Sequence, residues 1–122
     1  MNPASAQRRD ARVTGAAGEL GRAICSRLCQ DGLNIVAADL NLEAAQKLVA
    51  QLSLEDDQQA LAVHADLGDP VSVSALVEQA GAAFGRIDVV VNNAAVNHRG
   101  SIYDFDPAQW DHMMAVNLRG PA

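Results

Sequence analysis

The chain has 122 residues, 49% of them hydrophobic and 20% charged, which is the composition of one globular domain. Its formal net charge is -6, whereas binding to a nucleic-acid backbone requires clustered cations. We therefore expect no nucleic-acid partner. A bound nucleotide is compatible with this charge, because helix N-termini and backbone amides hold phosphates without net positive charge.

The sequence contains no apolar run of membrane length and no signal-peptide pattern, so we expect a cytoplasmic protein with no membrane partner. Cys25 and Cys29 are four residues apart in a helical pattern, which favours two free, buried or half-buried thiols. A metal site would need further ligands, and no other Cys or His lies near them in sequence. We therefore expect no metal.

The first half of the chain alternates between strand and helix patterns. Residues 1–10 read as a loose tail, and residues 11–122 as a partial dinucleotide-binding domain. A short strand is predicted at 11–14 and a helix at 19–31, which Gly32 ends. The apolar run 33–38 predicts a strand buried on both faces, and Asp39 follows it.

The second half continues the alternation. Helical spacing predicts a helix at 42–52, and a third strand follows at 60–65. Asp69 and Pro70 predict the cap and first turn of a helix that runs to Phe84. A fourth strand is predicted at 87–91, and a last helix begins after the cap Asp106. Such alternation with short connections predicts an α/β fold, an open parallel sheet with helices on both faces.

Residues 14–21 read Thr-Gly-Ala-Ala-Gly-Glu-Leu-Gly between a strand and a helix, where a dinucleotide-binding turn belongs. Glycines there permit the tight turn and the approach of the backbone to a pyrophosphate. Asp39, at the end of the second strand, is placed to accept hydrogen bonds from the adenosine ribose. Its carboxylate would repel a 2′-phosphate, so NAD is expected and NADP is less favoured. The alternative is that Asp39 faces solvent and caps the next helix, which is compatible with ribose binding.

Three further motifs lie downstream of the glycine turn: Asp66-Leu67, Asn92-Asn93-Ala94-Ala95 and Asn117-Leu118-Arg119-Gly120. In this order they resemble the short-chain dehydrogenase/reductase family, from residue 12 to the end. The resemblance implies the N-terminal half of a Rossmann-type sheet with strand order 3-2-1-4. It also implies hydride transfer between a nicotinamide cofactor and a small alcohol or carbonyl substrate in the full-length relative.

The resemblance implies a role for each matching position. Gly15, Leu20 and Gly21 would approach the pyrophosphate. The remaining expected cofactor-binding residues are Gly18 and Glu19 in the same turn, Asp39 at the ribose, Asp66 and Leu67 at the adenine, and Asn93, Ala94 and Ala95 along the cleft.

The catalytic candidate is Asn117, which matches the asparagine of the family's Asn-Ser-Tyr-Lys tetrad. In the family, this asparagine distorts its helix so that its main-chain carbonyl can hold a proton-relay water. Taken without the family, Asn117 is a weak helix former near a helix end.

The sequence departs from the family pattern at two places near its start. Glu19 occupies the middle glycine position, and a glycine appears one place earlier at Gly18, a spacing similar to the family's longer-chain branch. A carboxylate there would weaken phosphate binding if it pointed inward, and we expect it to point outward. Three arginines and an aspartate lie at 8–12, and burying them is costly. They predict a first strand cut to three or four residues, or an altered N-terminus.

The third departure is that the chain ends before the positions of the family's Ser and Tyr-x-x-x-Lys pair. Tyr103 has Pro107 at the lysine position, and Lys47 is the only lysine. We therefore expect that this chain cannot catalyse alone, and the alternative function is a non-catalytic nucleotide-binding or interaction module. A methyltransferase also has an acidic residue after its second strand, but the asparagine pair fits that class poorly.

The apolar edge at 87–91 predicts self-association, hence a homo-oligomer.

Overall fold

The computed structural model describes residues 8–97, 100–101 and 103–122. Strands and helices alternate through these residues. They are β1 (Asp10–Thr14), α1 (Glu19–Gln30), β2 (Asn34–Asp39), α2 (Leu42–Gln51), β3 (Ala60–His64), α3 (Pro70–Phe84), β4 (Val89–Val91), α4 (Pro107–Met114) and a π-helical segment (Ala115–Arg119).

The four strands form one parallel sheet in the order β3-β2-β1-β4, which confirms the predicted sheet. Ala11 of β1 is in register with Ile35 on one side and with Val89 on the other. Each sheet face packs against helices. One face buries Val13 and Ile35 with α1 and α2, and the opposite face buries Val36 and Val63 with α3. The carboxyl ends of all four strands therefore point to the same edge of the sheet.

The charged residues before Val13 do not shorten β1, which has five residues and begins at Asp10. The Arg8 guanidinium donates to Asp57 Oδ1 at 2.6 Å and to the Gly32 carbonyl at 2.6 Å. Asp10 is buried and accepts from Asn34 Nδ2 at 2.8 Å. Burial raises the pKa of Asp10. The charges of Arg8 and Asp10 thus find partners on other elements, and Asp10 belongs to β1 rather than to the expected loose tail.

Arg12 is the charge that stays uncompensated in β1. It lies between Val36 and Val90 in the strand register, on the sheet face covered by α3. Its Nε is buried and has no hydrogen-bond partner among the described residues. Burial lowers the pKa of Arg12. Val90 beside it is 42% exposed, so this part of the sheet face is only partly covered.

The helix ends follow the predicted capping residues. Asp69 accepts from the Val71 amide at 3.0 Å, and Asp106 accepts from the Ala108 amide at 2.9 Å. Gly85 ends α3 in the left-handed region at φ 77°, where glycine carries no Cβ penalty. None of the helices in the described ranges is long and apolar enough to cross a membrane.

Both cysteines are buried free thiols, as expected from their spacing in α1. Burial raises the pKa of Cys25 to about 11, so this thiol stays protonated at neutral pH. Across the part of the chain that the structure describes, no group of three or more His, Cys, Asp or Glu side chains could hold a metal ion.

Gly81 offers a test of α3. It is exposed inside the helix, and an added Cβ would meet nothing within 4 Å. Because glycine in a helix interior costs about 0.5–1 kcal/mol relative to alanine, Gly81→Ala should raise the free energy of unfolding by that amount. Urea denaturation followed by circular dichroism measures it. A loss of stability would contradict a regular helix at this position.

Candidate functional site

A cleft of about 580 Å³ opens at the carboxyl ends of the strands. The loops after β1, β2, β3 and β4 all contribute to its walls. Every expected cofactor-binding residue but one lines it: Gly15, Gly18, Glu19, Leu20, Asp39, Asp66, Leu67, Asn93, Ala94 and Ala95. The topology thus brings together motifs that are far apart in sequence.

Gly15 is required by both conformation and space. Its φ is 63°, in the left-handed region that favours glycine. An added Cβ would lie 2.9 Å from the Cα of Ala94, so the glycine turn touches the loop after β4. The Gly15 carbonyl also accepts from Asn93 Nδ2 at 3.1 Å. The first glycine therefore joins two walls of the cleft.

Gly21 is the expected site residue that does not line the cleft. It is buried in α1, and an added Cβ would collide with the Gly15 carbonyl oxygen and lie 2.8 Å from the Cα of Ala16. The expectation that Gly21 approaches the pyrophosphate stays a prediction. Its missing side chain lets α1 pack closely beneath the turn.

Gly18 is the N-cap of α1, with φ -72°. A Cβ there would meet only the Gly15 carbonyl oxygen at 3.5 Å, an ordinary contact. Neither space nor conformation requires glycine at this position.

Thr14 is a cleft residue that sequence reasoning missed. Its Oγ1 accepts from the amides of Asn93 and Ala94, each at 3.1 Å, and donates to the Val91 carbonyl at 3.4 Å. These bonds hold the end of β4 against the end of β1. A threonine directly before the first glycine of the turn was the available signal.

Asp39 contacts both the glycine turn and the start of α2. Its Oδ2 accepts from the Ala17 amide at 3.0 Å, and its Oδ1 accepts from the Asn41 amide at 2.9 Å. The cap of α2 is Asn41, whose side chain accepts from the Ala44 amide at 3.1 Å. The alternative in which Asp39 itself caps α2 is therefore wrong, and Asn41 is a second cleft residue that was missed.

Asp66 shapes the loop after β3. Its Oδ1 accepts from the Gly68 amide at 2.9 Å, and its own amide donates to Ser72 Oγ at 2.8 Å. Leu67 is buried directly beneath Gly120, where an added Cβ would collide with the Leu67 carbonyl oxygen. This wall of the cleft is thus packed against the π-helical segment.

Asn117 lies in that segment rather than in the cleft lining. Its Nδ2 donates to the Val96 carbonyl and its Oδ1 accepts from the Val96 amide, both at 2.8 Å. Val96 lines the cleft, so Asn117 acts on the cleft through the loop after β4. The helix is widened at this point, with the Gly120 amide bonded to the Ala115 carbonyl at 2.8 Å. A distorted helix is what the resemblance implied at Asn117.

The charged side chains around the cleft are acidic. Glu19, Asp39 and Asp66 border it, and neither lysine nor arginine occurs among its described lining residues. Glu19 is exposed at the first position of α1. His112 is the one basic side chain among the described lining residues. The N-terminus of α1 adds a positive field, because its first amides lack intrahelical acceptors.

A parallel sheet in this order, with a glycine turn after β1 and a carboxylate after β2, defines a nicotinamide-dinucleotide-binding Rossmann fold. The chain belongs to the short chain dehydrogenase family, whose model matches residues 9–122. The family is one of oxidoreductases.

Curated relatives are similar over most of this chain. A short chain dehydrogenase/reductase, dpmpG of Macrophomina phaseolina, is 39% identical over 89% of this chain and 63% of its own length. The D-threitol dehydrogenase of Mycolicibacterium smegmatis is 40% identical over 90% of this chain and 42% of its own length. The chain therefore spans between two fifths and two thirds of these relatives.

Solved structures show the same architecture. The 3-ketoacyl-(acyl-carrier-protein) reductase of Brucella melitensis, complexed with NADH, superposes with a TM-score of 0.84 at 31% identity. It covers 94% of this chain, which spans 46% of that structure. A metagenomic short-chain oxidoreductase in complex with NADP gives a TM-score of 0.81 at 33% identity, over 96% of this chain and 52% of its own.

Proposed function

We propose that the cleft binds the adenosine diphosphate half of NAD, as part of an oxidoreductase that transfers hydride between the nicotinamide and a small alcohol or carbonyl substrate. The observation that carries the proposal is the placement of Asp39. Its carboxylate lies at the end of β2 and contacts the Ala17 amide of the glycine turn. An adenosine ribose at this position would donate its hydroxyls to that carboxylate.

The other cleft residues fit the rest of the ligand. The free amides at the N-terminus of α1 suit the pyrophosphate, since they are unpaired donors at the positive end of a helix. Asp66 and the Leu67 backbone suit the adenine, and Asn93 to Ala95 border the path towards the nicotinamide. NAD, when bound, supplies the hydride acceptor.

We propose Asn117 as a positioning residue. Both of its amide atoms are engaged by the Val96 backbone, so it fixes the loop that follows β4. The role implied by the resemblance, in which its main-chain carbonyl holds a water, stays a prediction.

The choice of NAD over NADP is argued from the charge of the cleft. Solved relatives carry NADH in one case and NADP in another, so the family alone does not decide. A 2′-phosphate beside the Asp39 carboxylate would place like charges together, with neither lysine nor arginine among the described lining residues to offset them. This favours NAD.

Asp39→Asn tests the proposal. The variant keeps a hydrogen-bond acceptor and removes the negative charge. The affinity for NAD should therefore fall about tenfold while the affinity for NADP should not, so the preference for NAD over NADP becomes smaller. Calorimetric titration of both cofactors measures this. The matched control is Asp56→Asn, which removes the same charge from an exposed loop position.

Two results would contradict the proposal. One is an absence of NAD binding to protein that circular dichroism shows to be folded. The other is an equal change of both affinities in Asp39→Asn and Asp56→Asn, since that would reflect net charge alone.

A non-catalytic nucleotide-binding module is the second candidate. Tyr103 is 93% exposed, and position 107 holds Pro107 where the family's tyrosine would be followed by its lysine. Tyr103 and position 107 therefore do not form the family's Tyr-x-x-x-Lys pair. The module would bind NAD in the same cleft without hydride transfer.

We propose that the protein forms a homo-oligomer, because one edge strand of the sheet is available for pairing. β4 stands at one edge of the sheet that the described residues form, and an edge strand is a template on which a second copy could pair. The cytoplasmic location stays a prediction.

A further inference from the structure

We infer that Glu19 is a specificity-determining residue that selects ligands of the cleft by their charge at the pyrophosphate position. This inference rests on the proposed binding of an adenine dinucleotide. It adds that the Glu19 carboxylate, although exposed, is near enough to the cleft it borders to weaken binding in proportion to phosphate charge, and that it leaves the affinity for the uncharged adenosine part unaltered.

The position of Glu19 carries the first step. It is the first residue of α1, is exposed and borders the cleft. The N-cap Gly18 has no side chain to accept from the first amides, so these donors are available to an anion. A carboxylate in the first turn is itself stabilised by the same helix end. Glu19 and a bound diphosphate therefore compete for one positive field.

The charge balance of the cleft carries the second step. Glu19 adds a third negative charge to those of Asp39 and Asp66, and no described lining residue is a lysine or arginine. A diphosphate that enters the cleft thus meets repulsion from Glu19, which the helix end opposes; the one basic side chain among the described lining residues is His112. At the separations of neighbouring groups near a protein surface, one such charge changes an affinity about tenfold.

Glu19 fits the glycine turn without backbone strain. No described residue other than glycine has a positive φ. An added Cβ at Gly18 would meet only the Gly15 carbonyl oxygen at 3.5 Å, so the turn is not crowded beside Glu19. The effect of Glu19 on a ligand is therefore one of charge.

The experiment compares wild type with Glu19→Gln by calorimetric titration with adenosine, ADP-ribose and NAD, at low and at high salt. We expect the variant to bind ADP-ribose and NAD about tenfold more tightly and adenosine equally. The gain should shrink at high salt, where charges beyond a few ångströms are screened. The matched control is Glu43→Gln, in the first turn of α2 and outside the cleft lining, which should alter none of the three affinities.

Distinct outcomes separate this inference from the proposed function. Equal NAD affinity in wild type and Glu19→Gln overturns the role of Glu19 while NAD binding stands. An equal gain for adenosine and NAD also overturns it, because adenosine carries no phosphate. Binding of none of the three ligands by folded protein overturns the proposed function and this inference together.

Discussion

Gly21→Ala is expected to lower the free energy of unfolding by about 3 kcal/mol, the upper part of the range for overpacked sites. The added Cβ would collide with the Gly15 carbonyl oxygen, and it would also press on the Cα of Ala16. These are backbone atoms and cannot rotate away, so α1 must move off the glycine turn. Urea denaturation followed by circular dichroism measures the loss.

Gly18→Ser is the matched control, three residues earlier in the same turn. A Cβ there makes one contact at 3.5 Å, and serine is a preferred N-cap residue. We expect a change within about 0.5 kcal/mol. Equal losses in both variants would contradict the view that close packing at Gly21 is the constraint.

The second large effect is expected from Arg12→Leu, which should raise the free energy of unfolding by about 2 kcal/mol. The Nε of Arg12 is buried without a partner in the described residues, and a buried donor left unpaired costs about 1–3 kcal/mol. Leucine would sit between Val36 and Val90 in the strand register as an apolar neighbour.

Thermal and urea unfolding of Arg12→Leu should both shift upwards. Arg22→Leu, which removes an exposed arginine from α1, serves as the control and should change stability little. A large loss of stability in Arg12→Leu would show that the guanidinium has favourable partners, and would refute the assignment of Arg12 as an uncompensated charge.

The alternation of strands and helices could be predicted because it depends on local patterns, whereas the strand order 3-2-1-4 came from the resemblance to the family. Apolar runs bounded by Gly32, Asp39 and Gly85 mark strands and helices directly in the sequence. The glycine turn and Asp39 were also readable, since each directly follows a strand. The predicted fourth strand, 87–91, is two residues too long, because Ile87 and Asp88 precede the strand Val89–Val91.

The environment of β1 could not be predicted in the same way. Arg8 reaches Asp57, and Asp10 reaches Asn34, so the charges are satisfied by residues far along the chain. Such pairs leave no periodic signal. A prediction from neighbouring residues alone therefore assigns a burial cost to every charged residue before Val13. The structure supports that cost for Arg12 alone.

The glycines show a similar limit. Sequence spacing treats Gly15, Gly18 and Gly21 as alike, whereas the space around each Cβ differs. Only the packed turn shows that Gly21 lies beneath the cleft and that Gly18 has room for a side chain. Thr14 and Asn41 were missed although both carried a signal: Thr14 directly precedes the first glycine of the turn, and asparagine is a preferred N-cap residue.

The π-helical segment joins two rims of the cleft at once. Asn117 is bonded to Val96 in the loop after β4, and two residues later Arg119 donates to the Gly68 carbonyl in the loop after β3 at 2.8 Å. These bonds tie Val96 and Gly68, one from each loop, to the same short segment, so a displacement of that segment would move both rims of the cleft.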